Sequence, residues 1–157
     1  MQTTSAPGTD FPRVLHIDYP KAILRLLENN FQNRGLTWES TESGVQGLHL
    51  GMVQNYNLIL LGLREVGIDG LRILKGLARA GVRTPIVLFM PPKELELRRV
   101  ELSRFPNVLA CLSKPLDMRE VEKVMAFLKQ PLTLSTADKA KLMEVLVRVE
   151  RTVRAQA

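Results

Sequence analysis

The chain has 157 residues, of which 45% are hydrophobic and 24% charged, and it carries a formal net charge of +6. That length has room for one domain burying about two-thirds of its unfolded surface, and not for two full ones. The single cysteine, Cys111, excludes an internal disulfide, no apolar run approaches the roughly 20 residues of a membrane span, and the polar stretch 1–12 lacks a signal core. A cytoplasmic protein with no membrane partner is therefore expected. The basic residues are interspersed with Glu and Asp, so the charge reads first as a solvated surface and leaves nucleic acid as an unfavoured partner.

Val14-Leu15-His16-Ile17 reads as a first strand ending near Asp18, and Pro20 suits the opening of a helix because its missing N–H would be unpaired there anyway. Over 21–34 the residues Ile23, Leu24, Leu27 and Phe31 recur at helical spacing, with Gly35 placed to close the helix. An edge strand fits 36–40. Ser43 can cap a helix carrying Val45, Leu48 and Met52, which glycines 44, 47 and 51 make marginal. The stretch 57–61, apolar from Leu58 onward and ending in Gly62, suits a central parallel strand covered on both faces. Asp69 then caps a helix with Leu71, Leu74 and Leu77 that stops at Gly81. A strand at 85–89, a charged helix at 93–104, a strand at 108–112 and a helix at 117–129 follow.

Five strands alternating with five helices predict an α/β fold, a doubly wound five-stranded parallel sheet with right-handed crossovers. In such a fold the site lies beyond the carboxyl ends of the strands, here Asp18, Gly62, Met90 and Ser113-Lys114. The expected organisation is a flexible segment 1–11, a domain over 12–130 and a C-terminal amphipathic helix within 131–157. In that last segment Leu142, Leu146, Val149 and Val153 repeat at coiled-coil spacing and Val145 widens the stripe. Two heptads are marginal alone, so the helix either folds back onto its own domain or forms a dimer or partner seam, with Lys139, Lys141, Arg148, Arg151 and Arg154 as a basic face.

Five short signals occur in order: Val14-Leu15-His16-Ile17-Asp18, Leu58-Ile59-Leu60-Leu61-Gly62, Gly67-Ile68-Asp69-Gly70, Thr84-Pro85-Ile86-Val87-Leu88 and Leu112-Ser113-Lys114-Pro115-Leu116. In that order and spacing they resemble the receiver domains of bacterial response regulators over about residues 12–130. The resemblance implies a flavodoxin-like sheet and a metal-assisted phosphoryl acceptor. Two acids after the first strand would hold Mg²⁺, an aspartate after the third would attack, and a lysine after the fifth would contact the phosphoryl group. Asp18 matches the first acid and Lys114 the lysine. Tyr19 replaces the second acid and Gly62 the nucleophile. The family's relay, a hydroxyl after the fourth strand and an aromatic in the fifth, corresponds to Met90 and Cys111, which cannot perform it. A degenerate, phosphorylation-independent member with no metal is the expectation.

Asp18 and Lys114 are expected to pair across the strand ends. Arg64 is read either as a lid over them or as a solvated loop residue. His16 and His49 show no evident partner, Cys111 reads as a small buried hydrophobe, and no nucleophile–base or metal-ligand spacing stands out. The chain is accordingly read as a non-enzyme without cofactor: a signalling module acting through a protein partner or a homodimer. The alternatives are a nucleic-acid-binding regulator using the basic C-terminal helix, or a receiver fragment whose output region is absent.

Overall fold

A computed structural model describes residues 11–65, 68–126 and 128. Strands β1 (Arg13–Ile17), β2 (Thr37–Thr41), β3 (Leu58–Gly62), β6 (Ile86–Met90) and β7 (Val108–Ser113) form one sheet in the order β2-β1-β3-β6-β7. All four of its ladders are parallel. Arg64–Glu65 and Ile68–Asp69, β4 and β5, form a small separate antiparallel pair just after β3. The five helices are α1 (Lys21–Phe31), α2 (Gly44–Val53), α3 (Gly70–Arg79), α4 (Pro92–Leu102) and α5 (Met118–Ala126).

Strand alternation divides the core into two layers, because successive side chains leave a strand on opposite faces. Leu15, Ile17, Ile59, Leu61 and Leu88 join Leu74 and Leu77 of α3 and Leu95 of α4 in one layer. Val14, Leu58, Leu60, Val87 and Phe89 join Leu27 and Phe31 of α1 and Val121 and Val124 of α5 in the other. The fully buried β3 and β6 explain their unbroken apolar sequences, as parallel strands covered on both faces require.

Element boundaries follow local chemistry. The Ser43 hydroxyl accepts from Gln46 N at 3.1 Å and the Asp69 carboxylate from Arg72 N at 3.2 Å, so both expected caps are present. Gly35 and Gly81 take φ of +73° and +76°, the left-handed conformation that glycine adopts without steric cost.

Helix α2 corrects the sequence reading. Of the three apolar residues it carries in that reading, Leu48 packs against the core but Val45 and Met52 are 83% and 50% exposed, while Gly44, Gly47 and Gly51 are buried. A Cβ at position 47 would stand 2.6 Å from Ile17 Cδ1, and one at 51 would stand 2.9 Å from Leu77 Cδ2. The glycines thus let the helix backbone approach β1 and α3 more closely than a side chain allows. Leu48 and Leu50 pack against the same layer at its edge, while Val45 and Met52 are left outside.

Candidate functional site

The crevice outside adjacent strands β1 and β3 is where a doubly wound sheet offers a site, because crossovers leave it in opposite directions there. Asp18 follows β1 and is fully buried. Its backbone N–H donates to Thr41 O at 3.2 Å, which fixes the turn out of the strand. Lys114, after β7, reaches across two strand ends and donates from Nζ to Asp18 Oδ1 at 2.8 Å. Tyr19 N donates to the same oxygen at 2.8 Å.

His16 brings a contact that the sequence reading missed. Its Nε2 lies 3.4 Å from Asp18 Oδ2, and the ring is fully buried between Trp38 and Phe89, with centroids 6.1 and 5.8 Å away, edge-on to both. The carboxylate can only accept, which assigns the proton to Nε2 and leaves Nδ1 as an acceptor without a partner among the described residues. The signal that would have found this pair is the strand period: residues 16 and 18 share one face.

Burial lowers the His16 pKa, opposed by the hydrogen bond to Asp18, so the imidazole is neutral. Burial also pushes the Asp18 carboxyl up, but hydrogen bonds from His16 and Lys114 and the lysine charge outweigh it, and the pKa lies below the usual carboxylate value. The result is a buried carboxylate with both oxygens engaged and one cation beside it.

Position 62 adds no functional group. A Cβ there would stand 2.2 Å from Asp18 Oδ1 and 2.7 Å from its Cγ. Asp18 therefore occupies the volume where a nucleophile's side chain would begin. Gly70 is held as closely, its N–H donating to Leu63 O at 2.8 Å and its α-carbon facing the backbone of residues 62 and 63. Tyr19 is 36% exposed, and its peptide bond to Pro20 is cis, as is Lys114–Pro115.

Mg²⁺ prefers octahedral oxygen ligation and keeps several waters. Here the one carboxylate is committed to an ammonium and an amide, Gly62 supplies no oxygen from a side chain, and Tyr19 supplies a phenol. These residues do not fit the ion. Among the described residues no group of three or more His, Cys, Asp or Glu side chains stands where it could hold a metal.

Met90 ends β6 fully buried, and its carbonyl accepts from Lys114 N at 3.0 Å, so the backbones of two expected site positions are tied together. Cys111 packs against the layer formed by α2, α3 and α4, as a small hydrophobe would, but it is half-buried in β7 rather than buried. His49 is exposed on α2. Arg64 begins β4, but the reading of its guanidinium falls on a side chain outside those described. The stripe of Leu142, Val145, Leu146, Val149 and Val153 also lies outside the described residues.

No protein-family model matches the chain. The cell cycle transcriptional regulator CtrA of Caulobacter vibrioides is 30% identical over 86 residues, 55% of this chain and 37% of that protein. The regulatory protein AtoC of Escherichia coli is 25% identical over 119 residues, 74% of this chain and 25% of that protein. The chain thus spans well under half the length of either relative. Among solved structures, the receiver domain of the Francisella response regulator 1452 superposes with a TM-score of 0.65 at 24% identity, covering 74% of this chain and 95% of that one. The inactive form of the regulatory domain of RitR, the repressor of iron transport regulator, gives 0.66 at 18% identity, covering 75% and 95%. The fold is that of a receiver domain. The relatives in sequence support a place among the response regulators.

Proposed function

We propose that this chain is a pseudo-receiver, a non-enzymatic regulatory module that works without phosphorylation and through contact with a protein partner or a second copy of itself. The observation that carries this reading is the closure of Asp18 on the volume beside Gly62, where a Cβ would stand 2.2 Å from Oδ1. With the carboxylate already neutralised by Lys114, neither an attacking group nor a cation has a place there. The module spans residues 12–130 in this reading, with the amphipathic segment 131–157 as an added association element.

The contact surface we assign is the one receivers commonly use, formed by α4, β7 and α5. Leu97 and Val100, one turn apart on α4, are 81% and 74% exposed on a helix otherwise covered with charge. Arg98 bridges Glu94 and Glu101 beside them, at 3.3 and 3.1 Å, which stiffens the charged border of that apolar pair. Exposed aliphatic pairs with a polar rim suit a protein interface. The 37% span of CtrA favours a second reading, in which this module is the receiver part of a longer regulator whose output lies elsewhere.

Light scattering behind size-exclusion chromatography tests the first reading. The full chain is expected to keep the same mass with and without acetyl phosphate and Mg²⁺, and a Leu97→Glu/Val100→Glu variant to lose any association without losing its fold. Association that appears only with acetyl phosphate would overturn the proposal.

A further inference from the structure

At the end of the sheet away from Asp18, the connections leading into β6 and β7 enclose an open pocket of about 740 Å³. Its walls are built rather than accidental. Gly81 turns the chain at φ +76°, Val82 N donates to Leu77 O at 3.0 Å, and the Asn107 side chain donates to Thr84 O at 2.9 Å, tying one loop to the other. The β6–β7 register then slips: Ile86 pairs with Val108 but Val87 with Ala110, which leaves Leu109 without a counterpart. Such bulges re-aim side chains. Leu109 lines the pocket with Val82 and Phe105.

Arg83 and Arg104 also line it, both are exposed, and no acidic residue is part of the lining. Arg13, Arg34, Arg98 and Arg119 each have a carboxylate partner. Among the described residues Arg83 and Arg104 have none, as is true of Arg25, Arg72 and Arg79, but only Arg83 and Arg104 of these line this pocket together. Two cations with no carboxylate partner among the described residues, beside an apolar wall, select a ligand with both characters, because a guanidinium binds carboxylate, phosphate or sulfonate oxygens in a fixed fork. The volume falls within the range of about 300–1,000 Å³ typical of small-molecule sites.

We infer that this pocket binds a small organic anion, one carboxylate, phosphate or sulfonate group carried on an apolar body. The body rests on Val82, Phe105 and Leu109, and the anionic group meets Arg83 and Arg104. The site is independent of the Asp18–Lys114 pair and needs no phosphorylation chemistry.

Anilinonaphthalene sulfonate, which has an aromatic body and one anionic group, is the probe. Titrated into the full chain, it should give saturable one-site fluorescence and amide shifts at Val82, Arg83, Asn107 and Leu109. In an Arg83→Gln/Arg104→Gln variant with unchanged thermal stability, binding should weaken on the order of tenfold or more, the loss of charged hydrogen bonds. Phenylnaphthylamine, the same body without the sulfonate, should bind the unmodified chain more weakly by a similar factor, a comparison that does not depend on the variant folding. Equal binding of the two dyes, binding that survives both substitutions, or shifts that map to another face would overturn the inference.

Discussion

The first carbon of any side chain at position 62 would stand 2.2 Å from Asp18 Oδ1. Gly62→Ala must therefore move the carboxylate away from Lys114, and urea unfolding is expected to show a loss of about 1–3 kcal/mol, the usual cost of overpacking. A stability equal to that of the unaltered chain would show that Asp18 relaxes without resistance. The neighbouring titrations make a second prediction. The His16 pKa is depressed below its ordinary 6.5, so as pH falls below that value the unfolded chain takes up a proton that the folded chain refuses. Stability then falls by about 1.4 kcal/mol per pH unit for one proton. Asp18 acts in the same direction at lower pH. Its folded pKa lies below 3.8, so its contribution is present above that value and is lost as pH falls through the folded pKa. Urea midpoints measured from pH 7 to 5 should decline, and His16→Phe should flatten the decline; a flat profile in the unaltered chain would contradict a buried neutral His16. The Asp18–Lys114 pair was legible from the order of the strand-end residues, since both follow parallel strands of one sheet. His16 was not, because an isolated histidine in an apolar run carries no mark of its partner unless strand parity is followed one residue beyond the strand.

At the scale of an element, α2 separates helix propensity from packing. Alanine in place of an interior glycine favours a helix by about 1 kcal/mol. At position 47, however, the added carbon would lie within 2.9 Å of three carbons of Ile17. Packing is the larger effect, and Gly47→Ala is expected to destabilise the protein by about 1–2 kcal/mol net, whereas Val45→Ser, at a residue 83% exposed, should change stability by less than about 0.5 kcal/mol. The reverse ranking by denaturant midpoint would show that the apolar side chains face inward after all. The sequence misleads at Val45 and Met52 for a physical reason: hydrophobic periodicity assumes that the buried face is centred on large side chains, whereas here it is centred on glycines, with Leu48 and Leu50 packing at its edge. The strong elements were readable because their patterns were unambiguous. β3 and β6 are unbroken apolar runs, and α3 repeats Leu74 and Leu77 behind an Asp69 cap. The β4–β5 pair, two residues a strand, is too short to show any periodicity.

For the whole molecule, alternation of strand and helix was enough to specify the doubly wound sheet, because parallel strands need covered crossovers and right-handedness leaves few topologies. Helices α1 and α5 cover one face and α2, α3 and α4 the other, and the common direction of the strands places Asp18, Gly62 and Lys114 at one end of the sheet and the arginine-lined pocket at the opposite end. A receiver frame whose reactive end is closed by its own side chains is the central claim. Its most direct test is a titration of the isotopically labelled full chain with beryllofluoride and Mg²⁺, followed by amide NMR. The account predicts spectra without saturable change at Asp18, Tyr19, Gly62, Met90 and Lys114. Saturable shifts centred on those residues would contradict it, because they would show that the site still opens to a metal and a phosphoryl mimic.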